Sequence, residues 1–315
     1  MPNQDSTTAA LKAGEKRADE VLARRNLARQ TRAAALAAHP QRIDMAMRIS
    51  VPAGPVAETT LQTAGFLVAA GDSWFDYPFH DILKLLEDEH GYNTESAAHR
   101  GESIESMAYQ GGQLDKFSRC VDKVKAHGVI PKAVLLSGGG DDIAGDEFGM
   151  LLNNATSPIA GWNDDVVDGV LNERILIAYK QMIAFINSLC QKDVGKVLPI
   201  LVHGYDYPVP DGRGFLGGWP FPGPWLEPGF NEKLFSDLPT NVRLMHAIID
   251  RFNEMLAKLP QDTAFSNVHY LDLRNTLSSE LNDDAYQQWW ANELHPTKKG
   301  FEAVTNKFAD VLKTL

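Results

Sequence analysis

The sequence predicts an α/β protein: a parallel sheet with helices on both of its faces. Three observations carry that prediction. Short apolar runs of strand length recur along the chain, helical patterns alternate with them, and several runs end in turns rich in glycine or acidic residues. Strand candidates lie at Phe66–Ala70, Asn93–Ala97, Ala133–Ser137, Val197–His203 and Val268–Leu273. Helical patterns fall near Ile82–Glu89, Ser103–Val124, Val166–Gln191, Asn241–Leu259 and Thr297–Leu315. Such alternation builds βαβ units, whose crossovers place helices over the sheet.

The first of these strands organises the rest. Gly65-Phe66-Leu67-Val68-Ala69-Ala70 runs straight into Gly71-Asp72-Ser73-Trp74. A serine where a strand gives way to a loop can project its hydroxyl at the carboxyl edge of the sheet, where open α/β sheets bind ligands. The plainer alternative is a Ser that caps the next helix.

At 315 residues the chain is long enough for one large domain or two ordinary ones. Its 44% hydrophobic and 23% charged content is that of a folded, soluble protein. No run approaches the ~20 apolar residues of a membrane span, and the polar start shows no secretory signal. Cys120 and Cys190 have no metal-ligand spacing; two buried thiols fit a reducing compartment, with one disulfide as the alternative. The cytoplasm is the default location. A net charge of -11 argues against nucleic acid as a partner.

Residues 1–60 differ from the rest and read as a basic helical arm. Between Ala9 and Ala38 Gly14 is the sole glycine and proline is absent, so the composition favours helix. Residues 1–50 hold nine basic and five acidic side chains, which leaves the remaining chain the more acidic. Leu11, Val21, Leu22, Leu27 and Leu36 make a poor stripe, so a solvated extension is expected. Packing on its own domain, or on a second copy in a homo-oligomer, is the alternative. Residues 61–315 form the main domain. Within it, residues 205–239 are dense in Gly, Pro, Trp and Phe and read as a lid or pocket wall, or as a packed excursion anchored by its aromatics.

Three further segments are expected at the edge where Ser73 sits. Ala98-His99-Arg100-Gly101 follows the second strand, and a glycine there offers an unobstructed N–H. Ser137-Gly138-Gly139-Gly140-Asp141-Asp142 follows the third. Its acids, with Asp146, admit a divalent-metal reading, although acids opening a helix are expected from its dipole. Asn292-Glu293-Leu294-His295-Pro296 precedes the last helix and brings a candidate general base. His203-Gly204-Tyr205-Asp206, after the fourth strand, is a further candidate wall.

In order and rough spacing, Gly71-Asp72-Ser73-Trp74, Gly101, Gly139-Gly140-Asp141-Asp142 and Asn292 to Pro296 resemble the four blocks of the SGNH, or GDSL-type, hydrolases. The resemblance spans about residues 65 to 315. It implies a three-layer α/β/α sandwich with a flavodoxin-like sheet, and ester hydrolysis without metal or organic cofactor. Ser73 would be the nucleophile and His295 its base, with Asn292 orienting the imidazole. The N–H groups of Ser73 and Gly101 and the side chain of Asp141 would form the oxyanion hole, beside Asp72 and Gly140. The chain departs from the family twice. Asp141 stands where Asn is usual, and losing one oxyanion donor typically costs about 2.7–4 kcal/mol. Either Asp141 is held protonated, or it points away. Asn292 stands where Asp is usual, so Glu293 or a backbone carbonyl is an alternative partner for His295. The substrate would be a small carboxylic ester, either an acyl ester or an acetylated carbohydrate. The competing reading is a non-catalytic binding or assembly protein on the same scaffold.

Overall fold

The computed structural model describes residues 2–38 and 63–315. Five parallel strands form the central sheet: β1 (Gly65–Ala70), β2 (Tyr92–Ser96), β3 (Ala133–Leu136), β4 (Ile200–His203) and β5 (Val268–Leu271). They lie in the order β2-β1-β3-β4-β5, the flavodoxin-like order whose switch point falls between β1 and β3. Pairing starts at Gly65 opposite Tyr92 and Leu67 opposite Ala133, and Ile200 stands between Val134 and Val268. β3 and β4 are buried at every position, as strands covered on both faces must be.

The helices have local causes. Asp81 caps α2 (Ile82–His90), accepting from the Lys84 N–H at 2.9 Å, and Gly91 closes it in the left-handed region. The pattern expected over Ser103–Val124 is two helices, α3 (Ile104–Tyr109) and α4 (Gly112–Ala126). Gly111, at φ +83°, breaks it. The pattern over Val166–Gln191 begins as Asp164–Asp168, passes through a π-helical turn at Gly169–Ile175 and continues as α5 (Leu176–Asp193). A short helix at Glu227–Glu232, then α6 (Leu238–Leu256) and α7 (Lys298–Thr314), follow. α2 packs on α7, and α3 packs on α5. The result is a three-layer α/β/α fold.

The N-terminal helix α1 (Pro2–Ala38) is not a solvated extension. It lies along α5, with Ala10, Ala18 and Val21 buried. The stripe escaped the sequence reading because it is built from small residues. Leu27 is 65% exposed, whereas Gly14 lies so close to α5 that a Cβ there would meet Ala184 Cβ and the Phe185 nitrogen at 2.6 Å. A basic flank completes the seat. Arg24 reaches Asp115 at 3.1 Å, Arg25 and Arg29 reach Asp122, and Lys192 reaches back to Asp19 at 2.6 Å. Each exposed pair contributes at most about 1 kcal/mol. The close backbone approach therefore decides the position of α1, and the charges decide its register. The expected end of the arm near residue 60 lies outside the described residues.

Cys120 and Cys190 are both free and buried. Burial pushes the thiols up to about 11 and about 12, so both stay protonated. No described helix is long and apolar enough to cross a membrane.

The α1 seat makes a direct prediction. Gly14→Val should cost about 1–3 kcal/mol, as overpacking does, and lower the urea midpoint. An unchanged midpoint would mean that α1 does not pack at that distance.

Candidate active site

Ser73 sits where β1 ends. The turn that carries it is fixed from three sides by one buried side chain. Asp72 accepts hydrogen bonds from the Trp74 N–H (3.0 Å), the Ser137 hydroxyl (2.7 Å) and the Tyr205 hydroxyl. Ser137 follows β3 and Tyr205 follows β4, so three strand ends meet at this carboxyl group. Gly71 fits where a Cβ would lie 2.8 Å from that of Ser137, and Gln113 holds its N–H and carbonyl at 3.2 and 2.9 Å. Ser73 itself is half-buried and faces the rim.

His295 arrives from the loop before α7. Its Nε2 lies 2.7 Å from Ser73 Oγ, and its Nδ1 lies 3.0 Å from Asn292 Oδ1. The same Oδ1 also accepts the N–H groups of Leu294 (3.0 Å) and His295 (2.9 Å), while Asn292 Nδ2 donates to Tyr77 (3.2 Å). That network fixes which end of the amide is oxygen. An oxygen opposite Nδ1 puts the proton on Nδ1 and leaves Nε2 free to accept from the Ser73 hydroxyl. Tyr77 stacks on the imidazole at 4.4 Å, and Trp225 meets it edge-on at 5.7 Å. Burial lowers the His295 pKa to about 3, and among the described residues no carboxylate bonds to it to raise it.

Glu293, the alternative partner, points the other way. Its two oxygens accept the N–H groups of Gly212, Trp225, Leu226 and Glu227 at 2.6–3.0 Å. It therefore ties the Gly- and Pro-rich segment to the block that carries His295. Arg213 adds a second tie, donating to the Trp290 carbonyl at 2.9 Å.

Two cavities share Ser73, Asp141 and Leu294. The outer one, about 360 Å³, is walled by Tyr77, Arg100, Gly101, Phe215, Trp225 and His295 among others. The segment within 205–239 thus supplies one wall of it. The inner one, about 60 Å³, is bounded by Ile143, Tyr205, Met245, Ile248, Ile249 and Phe252 among others, and its lining is mostly apolar. Gly101, at φ +75°, has open space on its Cβ side and stands at the outer rim. Among the described residues, neither its N–H nor that of Ser73 has a protein acceptor.

Several expected site residues have other duties. Gly140 borders the inner cavity, but its N–H donates to the Tyr205 hydroxyl at 3.3 Å, which leaves it no free donor. Asp72 positions the turn, with its oxygens committed to three donors. Trp74 and Phe75 are buried core, Trp74 bounding the inner cavity and donating its indole N–H to the Leu294 carbonyl at 3.1 Å. His203 is fully buried among Trp74, Phe75 and Phe308 and borders neither cavity. Asp206 lines the inner cavity, yet its carboxyl accepts N–H groups from Tyr207, Asn275, Thr276 and Leu277. Of the acids behind the metal reading, one is committed to backbone donors and another lies at the surface. Asp142 accepts from the N–H groups of Ile104 (2.7 Å) and Glu105 (3.3 Å), and Asp146 is exposed. No group of three or more His, Cys, Asp or Glu that could hold a metal occurs among the described residues.

Ser137 was given no role by the sequence, and Tyr205, expected only as part of a wall, lines the inner cavity and also bonds to Asp72. Both stand directly beyond strand ends, and that position was the available signal.

The Glu293 ties predict that Glu293→Ala will speed hydrogen exchange at the Gly212 and Trp225–Glu227 amides by tenfold or more. Unchanged exchange there would show that the segment is held by other contacts.

No protein-family model matches the chain, and no curated protein matches it. Among solved structures it is similar to one described as a GDSL-like lipase from Parabacteroides merdae. That pair shares 10% identity with a TM-score of 0.42, over 81% of this chain and 98% of that one. It is also similar to a catalytic mutant of Axe2, an acetylxylan esterase from Geobacillus stearothermophilus. Here identity is 15% and the TM-score 0.39, over 79% of this chain and 94% of that one. By its own strand order and hydrogen bonds, this chain is a doubly wound α/β protein with a bonded Ser73–His295–Asn292 relay on the carboxyl rim of its sheet.

Proposed function

We propose that the protein is a serine hydrolase of the SGNH type that cleaves a small carboxylic ester through an acyl-enzyme. The observation that carries this reading is the 2.7 Å contact between Ser73 Oγ and the unprotonated Nε2 of His295. His295 takes the Ser73 proton as Oγ bonds to the ester carbonyl carbon. The oxygen of the tetrahedral intermediate meets the free N–H groups of Ser73 and Gly101. The intermediate collapses, the C–O bond to the alcohol breaks, and His295 returns the proton to the departing oxygen. Water then attacks the acyl-enzyme with His295 again as base, releasing the acid and restoring Ser73.

The two cavities separate the two arms of the ester. His295 must reach the leaving oxygen, and it lines the outer cavity, so the alcohol lies there against the aromatic wall. Gly101 is on the same side, which directs the carbonyl oxygen outward too. The acyl chain is left with the inner cavity, whose lining carries Ile143, Met245, Ile248 and Ile249. An apolar cavity of about 60 Å³ has room for a short aliphatic chain. A short aliphatic acyl ester fits better than an acetyl group or a long fatty chain.

Across 4-nitrophenyl esters from acetate to decanoate, kcat/KM should peak at butyrate to hexanoate. Ser73→Ala should lose activity by 10³-fold or more while keeping its melting temperature. Turnover retained by that variant would remove Ser73 from the chemistry. Asn292→Asp tests the relay. A carboxylate beside Nδ1 stabilises the imidazolium and raises the His295 pKa. The base works only when neutral, so the acid limb of the pH–rate profile should move upward from its low position. A limb that stays put would mean that residue 292 does not govern His295.

A further inference from the structure

Three carboxyl groups crowd the rim beside Ser73, and they are not equivalent. Asp72 accepts from three donors, and Asp142 accepts from two backbone N–H groups at the start of α3. Asp141 accepts from no donor and pairs with no cation among the described residues, yet it borders both cavities next to Ser73. An ionised group there would face Asp72 and Asp142 without compensation, which a partly desolvated site penalises heavily. The group escapes that penalty by keeping its proton. A carboxylic acid, like an amide, then offers a hydrogen-bond donor.

We propose that Asp141 is a catalytic residue: a neutral carboxylic acid whose O–H donates to the carbonyl oxygen of the substrate as that oxygen becomes an oxyanion. The inference rests on the hydrolase reading and deepens it. The proton remains on Asp141 throughout; it strengthens a hydrogen bond in the transition state and is not transferred. In this way the chain supplies with an acid the donor that the family usually supplies with Asn.

The substitution builds a pH limit into the site, because an acid donates only while protonated. Burial first, then the negative charges of Asp72 and Asp142, push Asp141 up to about 8. Asp142, raised to about 6 by burial, ionises earlier and so reinforces that shift; Arg174 and Glu105 face it. Across the cavities stand Tyr205, held well above its ordinary value, His295, lowered to about 3, and Arg100, paired with Asp76 at 3.3 Å. Neither Tyr205 nor His295 titrates near pH 8, so an alkaline limb there belongs to Asp141.

The test compares wild type, Asp141→Asn and Asp141→Ala with 4-nitrophenyl butyrate between pH 5 and 9.5. Wild-type kcat should fall towards tenfold per pH unit above about pH 8. Asp141→Asn should lose that limb and exceed wild type several-fold at pH 9.5. Asp141→Ala should lose 10²-fold or more in kcat at neutral pH, with KM little changed. An Asn variant that keeps the limb, or an Ala variant with wild-type kcat, overturns the proposal. Melting temperatures supply a readout independent of turnover. A carboxyl whose folded pKa is raised contributes stability that is full below about pH 4 and is lost as pH rises towards 8. Wild type should therefore decline relative to Asp141→Asn across that window. If none of the proteins hydrolyses esters, the hydrolase reading fails by itself. Parallel melting curves would separately overturn the protonated Asp141.

Discussion

One buried carboxyl group determines how this rim is put together. Asp72 draws the Trp74 N–H, the Ser137 hydroxyl and the Tyr205 hydroxyl to a single point. Those donors belong to the ends of β1, β3 and β4, which have no covalent reason to converge. Because the group is removed from water, each lost donor would leave a strongly penalised acceptor, so the three ends are held together cooperatively. Ser73 gains its aim from this arrangement. Its hydroxyl stands 2.7 Å from His295 although 222 residues separate them. The turn is preorganised, so the proposed reaction would need little reorganisation there.

A second carboxyl group organises the opposite side. Glu293 gathers four backbone N–H groups of the Gly- and Pro-rich segment, while its neighbours Asn292 and His295 form the relay. One five-residue block therefore sets both the imidazole and the wall of the outer cavity. This explains why the acid adjacent to the histidine does not serve it. Asn292 fixes the tautomer without bringing charge, and burial keeps His295 neutral far into acid. On the proposed reading, with Asp141 also uncharged, the site would work with neutral groups, where a carboxylate beside His295 would raise the pH at which the base begins to act and one at Asp141 would repel the oxyanion.

Much of the fold was legible because it rests on local signals. The expected strands match all five to within three residues at either end; β1, β3 and β4 are apolar runs, as buried parallel strands must be, whereas the edge strand β2 is largely polar and only partly buried. The meeting of Ser73 and His295 was anticipated from motif order together with the sheet's carboxyl edge. What was missed depends on distance in space. The seat of α1 uses Ala10, Gly14 and Ala18, residues that carry little apolar weight and matter only because α5 approaches closely. His203, read as part of a wall, was drawn into the core beside Phe308 of α7. The duties of Glu293 and Gly140 depend on partners 65 to 81 residues away, which no local pattern records.

The central claim is that the hydroxyl at position 73 is a nucleophile made reactive by the imidazole at 295. Intact-mass and peptide mass spectrometry after exposure to a fluorophosphonate tests it without knowledge of the natural ester. The account predicts one adduct, mapped to Ser73, forming at least 10²-fold more slowly in His295→Ala. No adduct, an adduct on another residue, or equal labelling of the two proteins would contradict it.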